Sequence, residues 1–135
     1  IGCGNGKVLF YFKKFFSKVH GVEVNIEVFY DLTKNFSKND TKINLINSDF
    51  FNMKIPEGVN FFYMFSPFRE FSLNENLINI LIKFSHEQNK KIYFIMVRGS
   101  HYKKMLDLII NKNFKLIKLQ KFLNNEYNTY LFSYK

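Results

Sequence analysis

Three glycines stand within five residues, Gly2-Cys3-Gly4-Asn5-Gly6, and open directly onto a helical pattern. Glycines there let the backbone turn sharply and let a ligand approach without meeting a side chain. The free N–H groups at the start of a following helix favour a negatively charged or electron-rich ligand group. The spacing is G-x-G-x-G. A dinucleotide fingerprint, G-x-G-x-x-G, would place glycine at Lys7, and a P-loop pattern fails at Ile1 and again at Val8. Two acids complete the set. Glu23 falls where α/β nucleotide binders place a carboxylate on ribose hydroxyls, and an ionised carboxylate can accept both hydrogen bonds of a vicinal diol. Asp49 follows the next extended segment.

These residues need elements to hold them, and the apolar periodicity supplies them. Val8, Leu9, Phe12, Phe15, Phe16 and Val19 recur at steps of three and four, predicting a helix from Lys7 to Lys18. Val19 to Val24 reads as a short strand. Asn25 is the expected N-cap of a second helix with Val28, Phe29, Leu32 and Phe36 inward. Ile43–Asn47 is a strand ending at Ser48-Asp49. After Pro56 and Gly58, the apolar run Phe61–Phe65 reads as a strand buried on both faces, as does Ile92–Val97. Helices are expected at Asn74–Glu87 and from about Ser100 to Asn111. Extended runs Phe114–Phe122 and Tyr127–Tyr134, joined through residues 123–126, form a terminal antiparallel hairpin.

Alternating helix and strand followed by a hairpin indicates an α/β fold: a mostly parallel, Rossmann-like sheet with helices on both faces. Glu23 and Asp49 then end neighbouring parallel strands, and ligands of open α/β sheets bind beyond such carboxyl ends. A glycine turn of this kind normally follows a strand, which the sequence does not contain. The expectation is one domain over residues 1–135, truncated before the glycine-rich loop, lacking its first strand and poorly stable alone.

In this order of segments the chain resembles class I S-adenosylmethionine-dependent methyltransferases over nearly its whole length. The resemblance implies methyl transfer with S-adenosylmethionine as cofactor. Gly2, Cys3, Gly4, Asn5 and Gly6 would face its methionine part, Glu23 with Val24 its ribose, and Asp49 its adenine amino group. Phe50 would lie beside the adenine ring, and Phe65 completes the cofactor set. Ser66-Pro67-Phe68 is similar to the Asn-Pro-Pro-Tyr/Phe loop of amino-methylating members, which implies an acceptor-binding role and points to a nitrogen acceptor. Two departures stand out. The acidic residue usual two positions before the first glycine would precede Ile1, and Ser66 lacks the side-chain carbonyl of the amide or acid. No catalytic base is evident.

Composition narrows the alternatives. A chain of 135 residues, 47% hydrophobic, suffices for one cored domain. It contains no apolar run of about 18 residues, so no membrane partner is expected. The single cysteine excludes an internal disulfide framework and a multi-cysteine zinc site, and no metal is expected. It also suggests a reducing, cytoplasmic compartment. The net charge of +9 comes almost wholly from scattered lysines, which makes nucleic acid a weakly supported partner. His20, His86 and His101 share no spacing with carboxylates, and Cys3 has no partner base. Two readings compete with methyl transfer. One is another class of nucleotide-binding domain, such as a dinucleotide oxidoreductase. The other is a degenerate, non-catalytic remnant of the fold or a basic nucleic-acid-binding module. The acceptor and the oligomeric state are not encoded in any recognisable pattern.

Overall fold

The computed structural model describes residues 1–36, 40–65, 68–97, 102–120 and 128–135. The chain forms two compact units, Ile1–Lys54 and Ile55–Lys135. The first contains helix α1 (Lys7–Phe12), strand β1 (Val19–Glu23), helix α2 (Ile26–Asn35), strand β2 (Ile43–Asn47) and a 3-10 turn, Phe50–Asn52. The second contains β3 (Phe61–Phe65), α3 (Phe71–Glu87), β4 (Ile92–Val97), α4 (Tyr102–Asn111), β5 (Lys115–Gln120) and β6 (Thr129–Tyr134). It is an α/β structure in each half.

In the first unit β1 and β2 pair in parallel, with Val19 opposite Ile43 and Glu23 opposite Asn47. Leu9 from α1, Val19 from β1 and Leu32 from α2 form the core, and Phe12, Phe16, Phe29, Phe36, Ile43 and Leu45 pack around it. The expected cap forms: Asn25 Oδ1 accepts hydrogen bonds from the N–H groups of Glu27 and Val28, satisfying two free donors at the start of α2.

α1 corrects the sequence expectation. It stops at Phe12 instead of continuing to Lys18, because the chain tightens into turns. Lys14 N–H bonds to Tyr11 O and Phe15 N–H to Phe12 O, three-residue steps that rotate the following side chains off the helical face. Lys13 is anchored to Asp40 by a 2.7 Å ion pair, and Val19 N–H is already bonded to Lys42 O. Phe16 still reaches the core edge-on to Phe12, whereas Phe15, expected inward, is 66% exposed.

The second unit has a four-stranded sheet in the order β3-β4-β6-β5. β3 and β4 are parallel, and β6 is antiparallel to both β4 and β5. β5 therefore runs with β3 and β4, and only β6 opposes its neighbours. The expected hairpin pairing is present between β5 and β6, while its connection, residues 123–126, lies outside the described residues.

The uninterrupted apolar runs do not give strands buried on both faces. Phe62 and Met64 are buried, but Phe61 and Tyr63 are only partly so and Phe65 is exposed. β4 alternates in the same way. One face of each strand is fully covered and the other only in part; Phe84 of α3 meets Phe62 edge-on at 5.9 Å. Phe94, Phe114 and Phe132 continue the aromatic core, with Phe94 stacked on Phe132 at 5.0 Å.

α3 begins at Phe71, one turn earlier than its apolar periodicity indicates. Asn74 is the reason. Its buried amide donates to the carbonyls of both Phe68 and Glu70, tying the chain that leaves β3 to the first turn of the helix. Among the described residues, no helix is long and apolar enough to cross a membrane, and no group of His, Cys, Asp and Glu could hold a metal ion.

Candidate functional site

The glycine loop and the end of β1 are joined directly. Glu23 is the last residue of β1, and its side chain is 9% exposed. Its Oε2 accepts from the N–H of Gly4 at 3.0 Å, and its Oε1 accepts from the N–H of Asn25, also at 3.0 Å. One carboxylate thus fastens the glycine loop on one side and the entrance of α2 on the other. A second tie runs from Cys3 N–H to Val22 O, which lays the start of the loop alongside β1.

The loop geometry explains why glycine recurs. Gly2, Gly4 and Gly6 have φ of +65°, +50° and +81°, in the region that side-chain-bearing residues rarely adopt. Around Gly2 and Gly4, a Cβ would meet no atom within 4 Å, so the loop presents open backbone on that side. Gly6 differs: a Cβ there would collide with the Leu32 and Phe36 side chains of the core.

Gly21, inside β1, is a requirement the sequence pattern did not reveal. A Cβ there would lie 2.5 Å from Leu9 Cδ1 and 3.1 Å from Leu45 Cδ2, so its absence allows α1 to sit closely on the strand.

Asp49 lies two residues beyond β2. Because β1 and β2 are parallel, Glu23 and Asp49 follow the carboxyl ends of both strands on one edge of the two-stranded sheet. Asp49 caps the 3-10 turn: Oδ1 accepts from Phe51 N–H at 3.0 Å, and Oδ2 accepts from Asn52 Nδ2 at 3.2 Å. Asn47 and Ser48 also belong to this edge and carried no signal in the sequence. Asn47 Nδ2 donates to Glu23 O at 2.8 Å, and Ser48 N–H donates to the same carbonyl at 3.2 Å. The backbone carrying Glu23 is thereby fixed from the β2 side.

The remaining sequence candidates are distributed as follows. Val24 is 66% exposed, and Asn5 is exposed beside Gly4 with its Oδ1 3.4 Å from Lys7 N–H. Phe50 is buried at 6% exposure, edge-on to Phe51. In the second unit, Phe65 is exposed at the end of β3 and Phe68 is partly buried, its carbonyl held by Asn74. Ser66, Pro67 and His101 lie outside the described residues.

Cys3 is held as a neutral thiol. Burial pushes it up to about 11, and the Glu23 carboxylate adds to the shift. A shift of that size from 9.0 lowers the thiolate fraction near neutral pH by about a hundredfold. Iodoacetamide should accordingly modify Cys3 about a hundred times more slowly at pH 8 than a free cysteine peptide, and an equal rate would contradict this environment. Burial also lowers the imidazole of His20, with Lys18 acting in the same direction, and that ring contacts Asn44 rather than a carboxylate.

A buried acid ends one parallel strand, a glycine loop is bonded to it, and a second acid lies beyond the next strand, the edge of an open α/β sheet where ligands are generally bound. The chain has the fold of the class I S-adenosylmethionine-dependent methyltransferases, and it resembles solved members closely in shape though not in sequence. Fibrillarin from Aeropyrum pernix, crystallised with S-adenosyl-L-methionine, superposes with a TM-score of 0.69 at 13% identity over 98% of this chain. This chain spans 64% of that fibrillarin's length. A methyltransferase from Pyrococcus furiosus gives 0.68 at 21% identity, covering 98% of this chain and 71% of its own. An rRNA methylase from Streptococcus thermophilus gives 0.64 at 13% identity, covering 97% and 80% respectively. No protein-family model and no curated protein sequence matches the chain.

Proposed function

We propose that this chain is the cofactor-binding part of an enzyme that transfers a methyl group from S-adenosylmethionine. The observation that carries the reading is the Glu23 carboxylate, buried at the end of β1 and bonded to the N–H of Gly4. Neighbours in fold crystallised with that cofactor support it.

The residues present fit the group. Glu23 uses one acceptor site on each oxygen for backbone N–H groups. A carboxylate offers about four such sites, so two remain for a ribose diol. The space over Gly2 and Gly4 admits a ligand against bare backbone. Asp49, on the same sheet edge, would offer a second acceptor for the adenine amino group, and Val24 and Asn5, which follow Glu23 and Gly4 in the chain, are exposed.

S-adenosylmethionine, when bound, supplies an electrophilic methyl group on a sulfonium. The chain's own task is to bind and orient: the loop is set by Glu23, Glu23 by Asn47 and Ser48, and α2 by Asn25. Such transfer can rest largely on proximity and alignment, so the lack of an acid–base pair among the described residues of this edge is no obstacle. The finer reading, a nitrogen acceptor, rests on the resemblance of Ser66-Pro67-Phe68 alone.

Calorimetric titration of S-adenosylhomocysteine into the full-length protein tests the proposal. Micromolar binding is the expected result. Absence of binding to the folded protein overturns it.

A further inference from the structure

Beyond the cofactor edge, the surface formed by α1 and the turn after it has an unusual make-up. Phe10, Tyr11 and Phe15 are 38%, 58% and 66% exposed, three large rings on one short stretch of chain. Tyr11 and Phe15 lie against each other with centroids 5.1 Å apart and planes at 52°. Phe10 is already used: it stacks on Phe36 at 4.3 Å, and Lys13 lies over its ring at 4.9 Å. Tyr11 and Phe15 are the rings left facing outward.

Lysines are interleaved with them. Residues 1–22 contain Lys7, Lys13, Lys14 and Lys18 and no carboxylate. Lys13 is paired with Asp40. Lys7, Lys14 and Lys18 are exposed and make no ion pair among the described residues. Lys7 and Tyr11 are four residues apart on one helix, which puts them on the same face. Lys14 adjoins Phe15 in sequence.

We propose that Tyr11 and Phe15, with Lys7, Lys14 and Lys18, form a docking surface for single-stranded nucleic acid. The rings provide faces on which unpaired bases stack, and the ammonium groups neutralise the phosphates between them. Asp40 neutralises Lys13, and the charges left over on this stretch, those of Lys7, Lys14 and Lys18, are all positive and favour a polyanion. Rings standing out from the surface select one whose bases are free of a duplex. An acidic lipid surface is a poorer match: α1 is only six residues long, too short to lay down a continuous apolar stripe. The surface lies wholly within the first unit and does not depend on the methyl-transfer reading.

Fluorescence anisotropy with a short labelled oligouridylate tests it on the full-length protein. Single-stranded oligouridylate should bind, and the Tyr11→Ala/Phe15→Ala variant should bind at least about tenfold more weakly. Lys7→Gln/Lys14→Gln/Lys18→Gln should reduce the slope of log affinity against log salt by about two, at roughly 0.7 per phosphate contact on a single strand. Photocrosslinking of a bromouracil-substituted strand to the unaltered protein should give adducts on Tyr11 or Phe15, a readout that does not depend on any variant folding. Equal affinity for a duplex, binding to phosphatidylserine vesicles but not to the strand, adducts only elsewhere, or a ring variant that binds as tightly as the parent would each overturn the proposal. S-adenosylhomocysteine affinity, measured in parallel, should be unchanged in the Tyr11→Ala/Phe15→Ala variant.

Discussion

Replacing Glu23 by alanine should strongly weaken S-adenosylhomocysteine binding and also loosen the fold, and the two effects can be separated. The carboxylate accepts from Gly4 N–H and Asn25 N–H, and deleting it leaves both donors without that partner in a largely buried place. A donor orphaned in this way costs about 1–3 kcal/mol, so a loss of about 2–6 kcal/mol is expected in urea unfolding. For the ligand, the loss of a charged acceptor for two hydroxyls predicts a drop in affinity of at least about a hundredfold.

A merely structural Glu23 would also weaken binding, by releasing the loop. The discriminating measurement is a double cycle with an analogue of S-adenosylhomocysteine that lacks both ribose hydroxyls. The parent protein should prefer the hydroxylated ligand strongly, and Glu23→Ala, tested at a temperature where it remains folded, should lose most of that preference. If the preference for the diol persists undiminished in the variant, Glu23 only ties the loop and does not receive the ribose.

The elements were legible in the sequence wherever a local signal decided them. β2, β3 and β4 begin and end where their apolar runs do, and the Asn25 cap was visible because a polar side chain at the start of an amphipathic pattern has one good use. The glycine loop and its two acids were readable for a related reason: positive φ and a strand-end carboxylate each need specific residue types. The failures came from partners distant in the chain. α1 shows helical periodicity to Lys18, but the pairing of Lys13 with Asp40 and of Val19 with Lys42 ends it at Phe12. The apolar runs of β3 and β4 gave no hint of which face would be covered, since an uninterrupted run carries no alternation to read. Asn47, Ser48 and Gly21 work through contacts across β1 and β2 or with α1, and no spacing within the sequence announces those.

The three loop glycines should respond differently to alanine, and the contrast separates folding from ligand access. Gly6 combines a φ of +81° with a collision between any Cβ and the Leu32 and Phe36 side chains. Left-handed strain is about 1–2 kcal/mol. Overpacking a filled core adds about 1–3 kcal/mol, so Gly6→Ala should lose about 2–5 kcal/mol of stability. Gly2 has the same backbone demand at +65° but open space around it, so Gly2→Ala should show only the strain, about 1–2 kcal/mol. Its effect on S-adenosylhomocysteine should be the larger one, because the methyl group would stand where the ligand meets bare backbone. Urea unfolding and calorimetric titration of both variants give the four quantities required. A folded Gly2→Ala variant with undiminished affinity would show that the ligand does not pass over Gly2. The open side of the loop would then need another occupant, even with the Gly6 result as expected.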